Sequence, residues 1–422
     1  MAMTPYQGYV YSYPHKTAYR PLEPRPPLRQ VWEGEDVSAL FAYLHIPFCE
    51  MRCGFCNLFT RTGAPETLVS AYLDALARQL AAVREAVPEA RYAAAAIGGG
   101  TPTYLSAGEL DRLFDLAALP AGIPVGIETS PATATPDRLA VLVGRGVSRI
   151  SIGVQSFIDA EARSAVRPQR RTEVEAALAA IRAAGVATLN LDLIYGIDGQ
   201  DRTSWRYSLD AALAWRPEEI YLYPLYVRPL TGLGLRPREW DDQRLALYRQ
   251  GRDHLLEAGY EQVSMRMFRL PGSADTAAYR CQTDGTVGLG CGARSYTSGL
   301  HYSFEYAVGV RHVRAIVDEY VRESDFTRAN VGFHLDDGER RRRHLLQSLL
   351  QAEGLSRALY LKRFGTDVLD DFPLTPYADR GWAEADATTV RLTPDGLAHS
   401  DAIGPALFSG RVQELMDHYD HR

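Results

Sequence analysis

From residue 41 onward the hydrophobic positions of the chain switch repeatedly between two rhythms. Short apolar runs at 41–46, 92–97, 123–128, 149–153, 188–194 and 219–223 have the length of buried strands. Between them, 66–87, 106–116, 136–143, 172–184, 204–214 and 241–258 repeat apolar residues three and four apart, as a helix with one buried face does. Ser106 and Glu109 form a capping-box pair at the start of one of these helices. Gly146, Gly185 and Gly259 stand where three others should stop. Six strand-then-helix units predict an α/β fold with a parallel sheet and right-handed crossovers. Such a sheet curls into a full or partial TIM-like barrel, or stays open and doubly wound.

The rhythm changes after Tyr260. Residues 262–268 alternate like a strand, and 285–295 form a Gly-rich turn. Beyond 305 helical patterns dominate, including 338–352 and 356–364, before a strand and tight turn at 391–397. We divide the chain into an N-terminal arm at 1–38, a barrel with its extension at 39–304, and a smaller C-terminal helical or winged-helix-like domain at 305–422. The arm carries Tyr9, Tyr11, Tyr13 and Tyr19, then a Pro-rich stretch at 21–27 that no regular helix accommodates. It is expected to be a strap packed on the surface; a sharper reading makes it a lid that lends Tyr, His and Arg groups to a pocket.

Composition narrows the function classes. No apolar run in the 422 residues approaches the ~20 needed to span a bilayer, so no membrane partner is expected. Residues 1–13 lack the charged-then-apolar layout of an export signal. A cytoplasmic, reducing location is therefore expected, where cysteines serve as metal ligands or catalysts rather than disulfides. The net charge of −6 offers no global attraction to nucleic acid, although 44 of the 46 basic residues are arginine, a bidentate anion binder.

In parallel β/α proteins, ligand sites form at the carboxyl ends of the strands. The first strand run leads into Cys49-Glu50-Met51-Arg52-Cys53-Gly54-Phe55-Cys56, and the second into Gly98-Gly99-Gly100-Thr101-Pro102-Thr103. The third ends in Glu128-Thr129-Ser130, and the fourth leads to Gln155-Ser156. Asp192 lies within the fifth, and the sixth runs into Tyr223-Pro224-Leu225-Tyr226. One metal-type loop, one Gly-rich loop and several polar groups thus share one mouth. The remaining cysteines, Cys281 and Cys291, lie far away in sequence. A structural zinc site needs four Cys or His ligands, and His45, on its strand two residues before Pro47, reads as a core histidine. A disulfide would strand one of the three thiols. A cubane iron–sulfur cluster with one open iron uses three thiolates and fits best. The Gly-rich loop lacks the GKS or GKT ending of a P-loop, but its glycines admit close approach of a ligand to backbone.

These residues carry a family resemblance. Tyr43-Leu44-His45-Ile46-Pro47-Phe48 with the CxxxCxxC loop, Gly98 to Thr103, Ile152-Gly153-Val154-Gln155-Ser156-Phe157 and Asp192-Leu193-Ile194-Tyr195-Gly196 resemble radical S-adenosylmethionine (SAM) enzymes. They are similar to the oxygen-independent coproporphyrinogen III oxidase-like branch, over about residues 40–300. The resemblance implies a partial (β/α)6 TIM-like barrel. It implies that Cys49, Cys53 and Cys56 ligate a [4Fe–4S] cluster whose open iron binds the amino and carboxylate groups of SAM. Tyr43, Phe55, Gly99, Gly100, Thr101, Glu128, Gln155, Arg167, Asp192 and Ile194 match SAM contacts, with Phe55 beside the adenine and Arg167 suited to the methionine carboxylate. Reductive cleavage of SAM to a 5′-deoxyadenosyl radical is the implied reaction. The implied partners are a one-electron reductant, such as flavodoxin or ferredoxin, and a small tetrapyrrole or aromatic substrate.

One departure bears on the substrate. Coproporphyrinogen III oxidases of this branch carry another cysteine two residues after the loop, where this chain has Leu58. A two-SAM methylase acting on an aromatic or natural-product substrate, and a heme chaperone without turnover, therefore stand beside porphyrin metabolism. Cys281 and Cys291 read as buried, inert thiols. The run Arg340 to Arg343 reads as a solvated helix face, and Met265 and Met267 as strand core.

Overall fold

Helix Glu66–Ala86 shows how the elements form. Val69, Tyr72, Leu73, Leu76, Leu80 and Val83 recur at helical spacing, and all are buried against the sheet. The same pattern repeats in Ala107–Ala117, Pro136–Gly144, Arg171–Ala183, Arg202–Leu213 and Gln243–Glu257. Ser106 and Glu109 make the reciprocal capping box. Gly146, Gly185 and Gly259, at φ +79°, +73° and +88°, end three helices in the left-handed region that glycine adopts without strain.

The computed structural model describes residues 5–227, 231, 233, 243–273 and 285–419. Strands Leu40–Ile46, Tyr92–Gly99, Val125–Thr129, Arg149–Gln155, Thr188–Tyr195 and Glu219–Pro224 lie side by side in that order, all parallel. This is the α/β arrangement with six β/α units that the sequence predicts. Among the described residues no helix is long and apolar enough to cross a membrane.

The sheet is wider than expected. Within the segment read as a Gly-rich turn, Thr286–Leu289 forms a strand parallel to Leu40–Ile46, and the chain returns antiparallel as Arg294–Tyr296. A Cβ on Gly288 would lie 2.3 Å from the Arg294 carbonyl oxygen, so this tight return requires glycine. Strands Leu300–Ser303, Val331–His334 and the arm's Arg20–Pro21 extend that edge. At the other edge, residues 262–268 do not form one strand. Glu261–Gln262 and Met267–Arg269 make a hairpin whose second strand runs antiparallel to Glu219–Pro224.

A second core joins residues between Phe333 and Val412 to Tyr13, Ala18 and Tyr19 of the arm. It holds a small antiparallel sheet, Leu355–Ser356, Thr389–Leu392 and Ala383–Ala385, flanked by helices Asp337–Leu349 and Arg357–Phe364, a winged-helix-like layout. Tyr6, Leu22, Leu28 and Trp32 place other parts of the arm in the barrel core. The Gln7 and Gly8 N–H groups donate to the Asp401 carbonyl at 3.2 and 3.1 Å. The arm is thus a strap bound to both cores. The arginine run differs from its sequence reading: Arg343 is buried, Arg341 pairs with Asp337 and Asp371, and Arg342 donates to the Leu407 carbonyl. Of the isolated cysteines, Cys291 is buried with its sulfur 3.9 Å from the Tyr72 hydroxyl, while Cys281 lies outside the described residues.

Candidate active site

A cavity of about 1880 Å³ opens at the carboxyl ends of the parallel strands. Its wall includes Cys49, Cys53, Cys56, Tyr43, Phe55, Gly99, Gly100, Thr101, Glu128, Gln155, Arg167, Asp192 and Ile194, which are all of the residues singled out in the sequence.

Two loops are locked together at its edge. The Gly100 N–H donates to the Ile46 carbonyl at 2.8 Å, and the Thr101 N–H to the Phe48 carbonyl at 2.7 Å. A Cβ on Gly100 would stand 2.5 Å from the Phe48 carbonyl oxygen. Gly99, at φ +117°, lies flat against the His45 ring. These glycines exist for contact between the loops as much as for contact with a ligand. His45 Nε2 lies 3.0 Å from the Phe59 carbonyl, and burial pushes the ring's pKa down to about 4. It is a neutral core histidine, as its place on the strand suggested.

The cysteine loop is held from the other side by residues 165–167. The Gly54 N–H donates to the Ala165 carbonyl at 3.1 Å, and Val166 takes φ +53° beside Gly54. This turn delivers Arg167, whose Nη1 lies 3.2 Å from Cys53 Sγ while Nη2 donates to the Gly153 carbonyl at 2.7 Å. Cys49 Sγ lies 3.3 Å from Thr101 Oγ1, and Cys56 Sγ 3.8 Å from Thr60 Oγ1. Burial pushes the Cys49 thiol up to about 12 and raises that of Cys56, so ionising these sulfurs requires a cation among them. Among the described residues no three Cys, His, Asp or Glu side chains converge closely enough to hold a single metal ion. A cubane cluster takes each thiolate on a separate iron, so its ligands stand farther apart. Three thiols lining one cavity, a guanidinium against one sulfur and hydroxyls near the other two fit such a cluster, for which Cys49, Cys53 and Cys56 would supply three of the four iron ligands.

Two carboxylates line the same cavity. Glu128 is open to the cavity but enclosed by the barrel, and its Oε2 accepts the Gly99 N–H at 3.0 Å. Enclosure pushes its pKa up to about 7, with the nearby Asp192 charge adding to the rise. Asp192 is likewise raised by burial, to about 6. Asn190 Nδ2 donates to Asp192 Oδ1 at 2.8 Å and to Ser151 Oγ at 2.5 Å. Deeper in the barrel Arg149 and Glu219 form a buried ion pair at 2.8 Å. Gln155 sits at φ +68°, beside a register shift between its strand and the next. Next to the carboxylates, Ile194 packs with Ala165, Ile197, Leu225, Leu233 and Phe55, an apolar shelf suited to a flat ring.

Sequence reasoning missed several lining residues. Arg149, Ser151, Asn190 and Tyr221 share the inward face of their strands with Gly153, Asp192 and Tyr223, so the strand period of two was the signal that would have found them. Glu50 was also missed; its Oε1 accepts the Ser130 hydroxyl at 2.5 Å. The arm contributes Tyr9, Tyr11, His15 and Lys16 to the wall, so it lends the tyrosines and the histidine expected of it, with a lysine in place of an arginine. Arg294 Nη1 donates to the Tyr11 hydroxyl at 2.9 Å, and the Arg266 guanidinium stacks 3.8 Å over the Tyr9 ring. Met265 and Met267 reach the wall too, although Met265 is otherwise buried.

The family model of the radical SAM superfamily matches residues 43–212. The heme chaperone HemW of Escherichia coli is 30% identical over 298 residues, covering 68% of this chain and 77% of that protein. The oxygen-independent coproporphyrinogen III oxidase of Pseudomonas aeruginosa is 29% identical over 394 residues, covering 86% and 81%. The solved structure of the coproporphyrinogen III oxidase HemN from Escherichia coli superposes with a TM-score of 0.80 over 98% of both chains, at 22% identity. At that identity the likeness is one of fold.

Proposed function

The chain belongs to the HemN/HemW-like family of radical SAM proteins, which use a [4Fe–4S] cluster and SAM, and from that premise we propose a small-molecule radical enzyme built on this cavity. The observation that supports the reading is the set of groups sharing one cavity: three thiols, Arg167 against one of them, two carboxylates, and an apolar shelf that includes Phe55 of the cysteine loop. In this reading Cys49, Cys53 and Cys56 hold the cluster, and Arg167 neutralises part of the charge that collects on the Cys53 sulfur. Gly99, Gly100 and Thr101 present backbone to the methionine end of SAM, and Arg167 and Gln155 flank its carboxylate. Glu128 and Asp192 offset its positive charge, while Tyr43, Phe55 and Ile194 bound the nucleoside. Together the cluster and SAM supply a 5′-deoxyadenosyl radical when reduced. The strap carrying Tyr9 and Tyr11 shields that part of the cavity from water and defines the remaining space for substrate.

The named relatives act in heme metabolism, so a tetrapyrrole is the first substrate class. Leu58, where coproporphyrinogen oxidases have a cysteine, and the tyrosines on the cavity wall favour a second reading, methyl transfer to an aromatic substrate. The test is reconstituted protein with dithionite and SAM, offered coproporphyrinogen III and, separately, aromatic acceptors. Substrate-dependent consumption of SAM is expected, and S-adenosylhomocysteine among the products selects methyl transfer. Stoichiometric heme binding with no SAM consumed under any condition would replace both readings by a chaperone.

A further inference from the structure

We propose that the outer face of helix Val310–Arg322, together with Leu58, is the docking surface for a small acidic one-electron carrier protein. This rests on the proposed function, because a cluster on Cys49, Cys53 and Cys56 must be reduced from outside.

Three contacts tie the segment 306–318, which leads into and forms the helix, to residues 52–61, the cysteine loop and the stretch that follows it. The Tyr306 hydroxyl lies 3.4 Å from the Asn57 carbonyl, Arg52 Nη2 donates to the Val308 carbonyl at 2.6 Å, and Arg61 pairs with Asp318 at 2.5 Å. Val313, Ile316, Val317 and Tyr320 are buried, which fixes the inner face. Val310, Arg314 and Asp318 succeed one another at a spacing of four, so they form one row on the surface. That row starts beside Val308 and ends on Arg61, and it therefore runs along the outer edge of the cysteine loop.

The charge of this helix face is opposite in sign to the net charge of the chain. The chain carries a net charge of −6, yet this helix presents Arg311, His312, Arg314 and Arg322 outward. Of its two acids, Asp318 is already neutralised by Arg61, leaving Glu319. Two large apolar side chains stand exposed in these segments, Leu58 at 48%, where it also lines the cavity, and Val310 at 43%. Leu58 lies two residues beyond Cys56, so a protein seated there comes within a few residues of the cluster. A basic rim around an apolar contact suits an acidic partner that must bind briefly and leave, since rim charges speed encounter more than they prolong residence. An acidic carrier and this chain, at net charge −6, are both negative overall, which makes the local reversal of sign on the helix the recognition element.

The test uses reconstituted holoprotein and an acidic flavodoxin. In Arg311→Glu/Arg314→Glu we expect the affinity for flavodoxin, and the rate at which its hydroquinone reduces the cluster, to fall at least about tenfold at ~50 mM salt. The difference should shrink strongly at ~500 mM salt, where exposed charges are screened. Cluster content and dithionite-driven SAM cleavage should match the parent. The double variant Arg202→Glu/Arg216→Glu, on the opposite edge of the parallel sheet, changes net charge equally and should behave as parent. Equal flavodoxin affinity and reduction rate in the first variant and the parent would overturn the proposal, as would equal losses in both variants. Absence of dithionite-driven SAM cleavage in the parent would count against the enzyme reading instead, and the flavodoxin titration would still decide the docking surface.

Discussion

Cys53→Ala is expected to abolish the sulfur-to-iron charge-transfer absorbance of reconstituted protein and reduce bound iron to background. The reason lies in ligand number. With three thiolates a cubane cluster already depends on an outside ligand for its fourth iron, and with two it has too few protein bonds to persist. The same substitution removes the sulfur that faces the Arg167 guanidinium at 3.2 Å. Cys49 and Cys56 should behave alike. Cys291→Ala serves as the control, since its thiol is buried behind Tyr72 and lines no part of the cavity; its spectrum should be unchanged. Full iron content in Cys53→Ala would contradict the ligand assignment.

The second large effect concerns the cavity carboxylates Glu128 and Asp192. Glu128→Gln keeps an oxygen for the Gly99 N–H but removes the charge. A charge-assisted contact of this kind contributes about 1.5–3 kcal/mol, so SAM should bind about 10- to 100-fold more weakly while cluster content stays the same. Equal affinity would remove Glu128 from the site. The wild-type protein should also show a pH dependence of defined sign. Glu128 and Asp192 titrate near 7 and 6 when no cation faces them, and only their ionised forms favour SAM. Affinity should therefore rise as pH rises from 5 to 8, and binding between those values should release protons. Below pH 6 each further unit should cost up to about tenfold per carboxylate. Glu128→Gln should flatten the upper part of that profile, near pH 7. An affinity independent of pH in the parent would mean that neither carboxylate meets the ligand's charge.

The parallel sheet was legible because its strands are buried on both sides and read as unbroken apolar runs, each followed by a helix with its own stop signal. The cysteine loop, Glu128, Gln155 and Asp192 were legible for a related reason: polar residues at strand ends have no packing role to explain them. What stayed hidden depends on partners distant in sequence. Thr286–Leu289 looks like a turn because Gly288 and Gly290 lower its strand propensity, yet Gly288 is there to let Arg294 return against it. Four consecutive arginines look solvated until the second core surrounds Arg343. Asn190 and Ser151 become visible only when Asp192 is fixed to the inward face and the period of two is followed down the strand. The tyrosines at 9, 11 and 13 alternate as in a strand, yet no strand forms there; their place on the cavity wall goes with the Gln7 and Gly8 contacts with Asp401, nearly four hundred residues away.

In the proposed function SAM binds and is cleaved at a cluster held by Cys49, Cys53 and Cys56. The most direct test of this is to mix anaerobically reconstituted protein with dithionite and SAM, without substrate, and to measure 5′-deoxyadenosine against time. Formation of 5′-deoxyadenosine that requires both reductant and intact Cys53, and that needs more SAM in Glu128→Gln, is the result predicted. An intact cluster that yields none at saturating SAM would contradict the account.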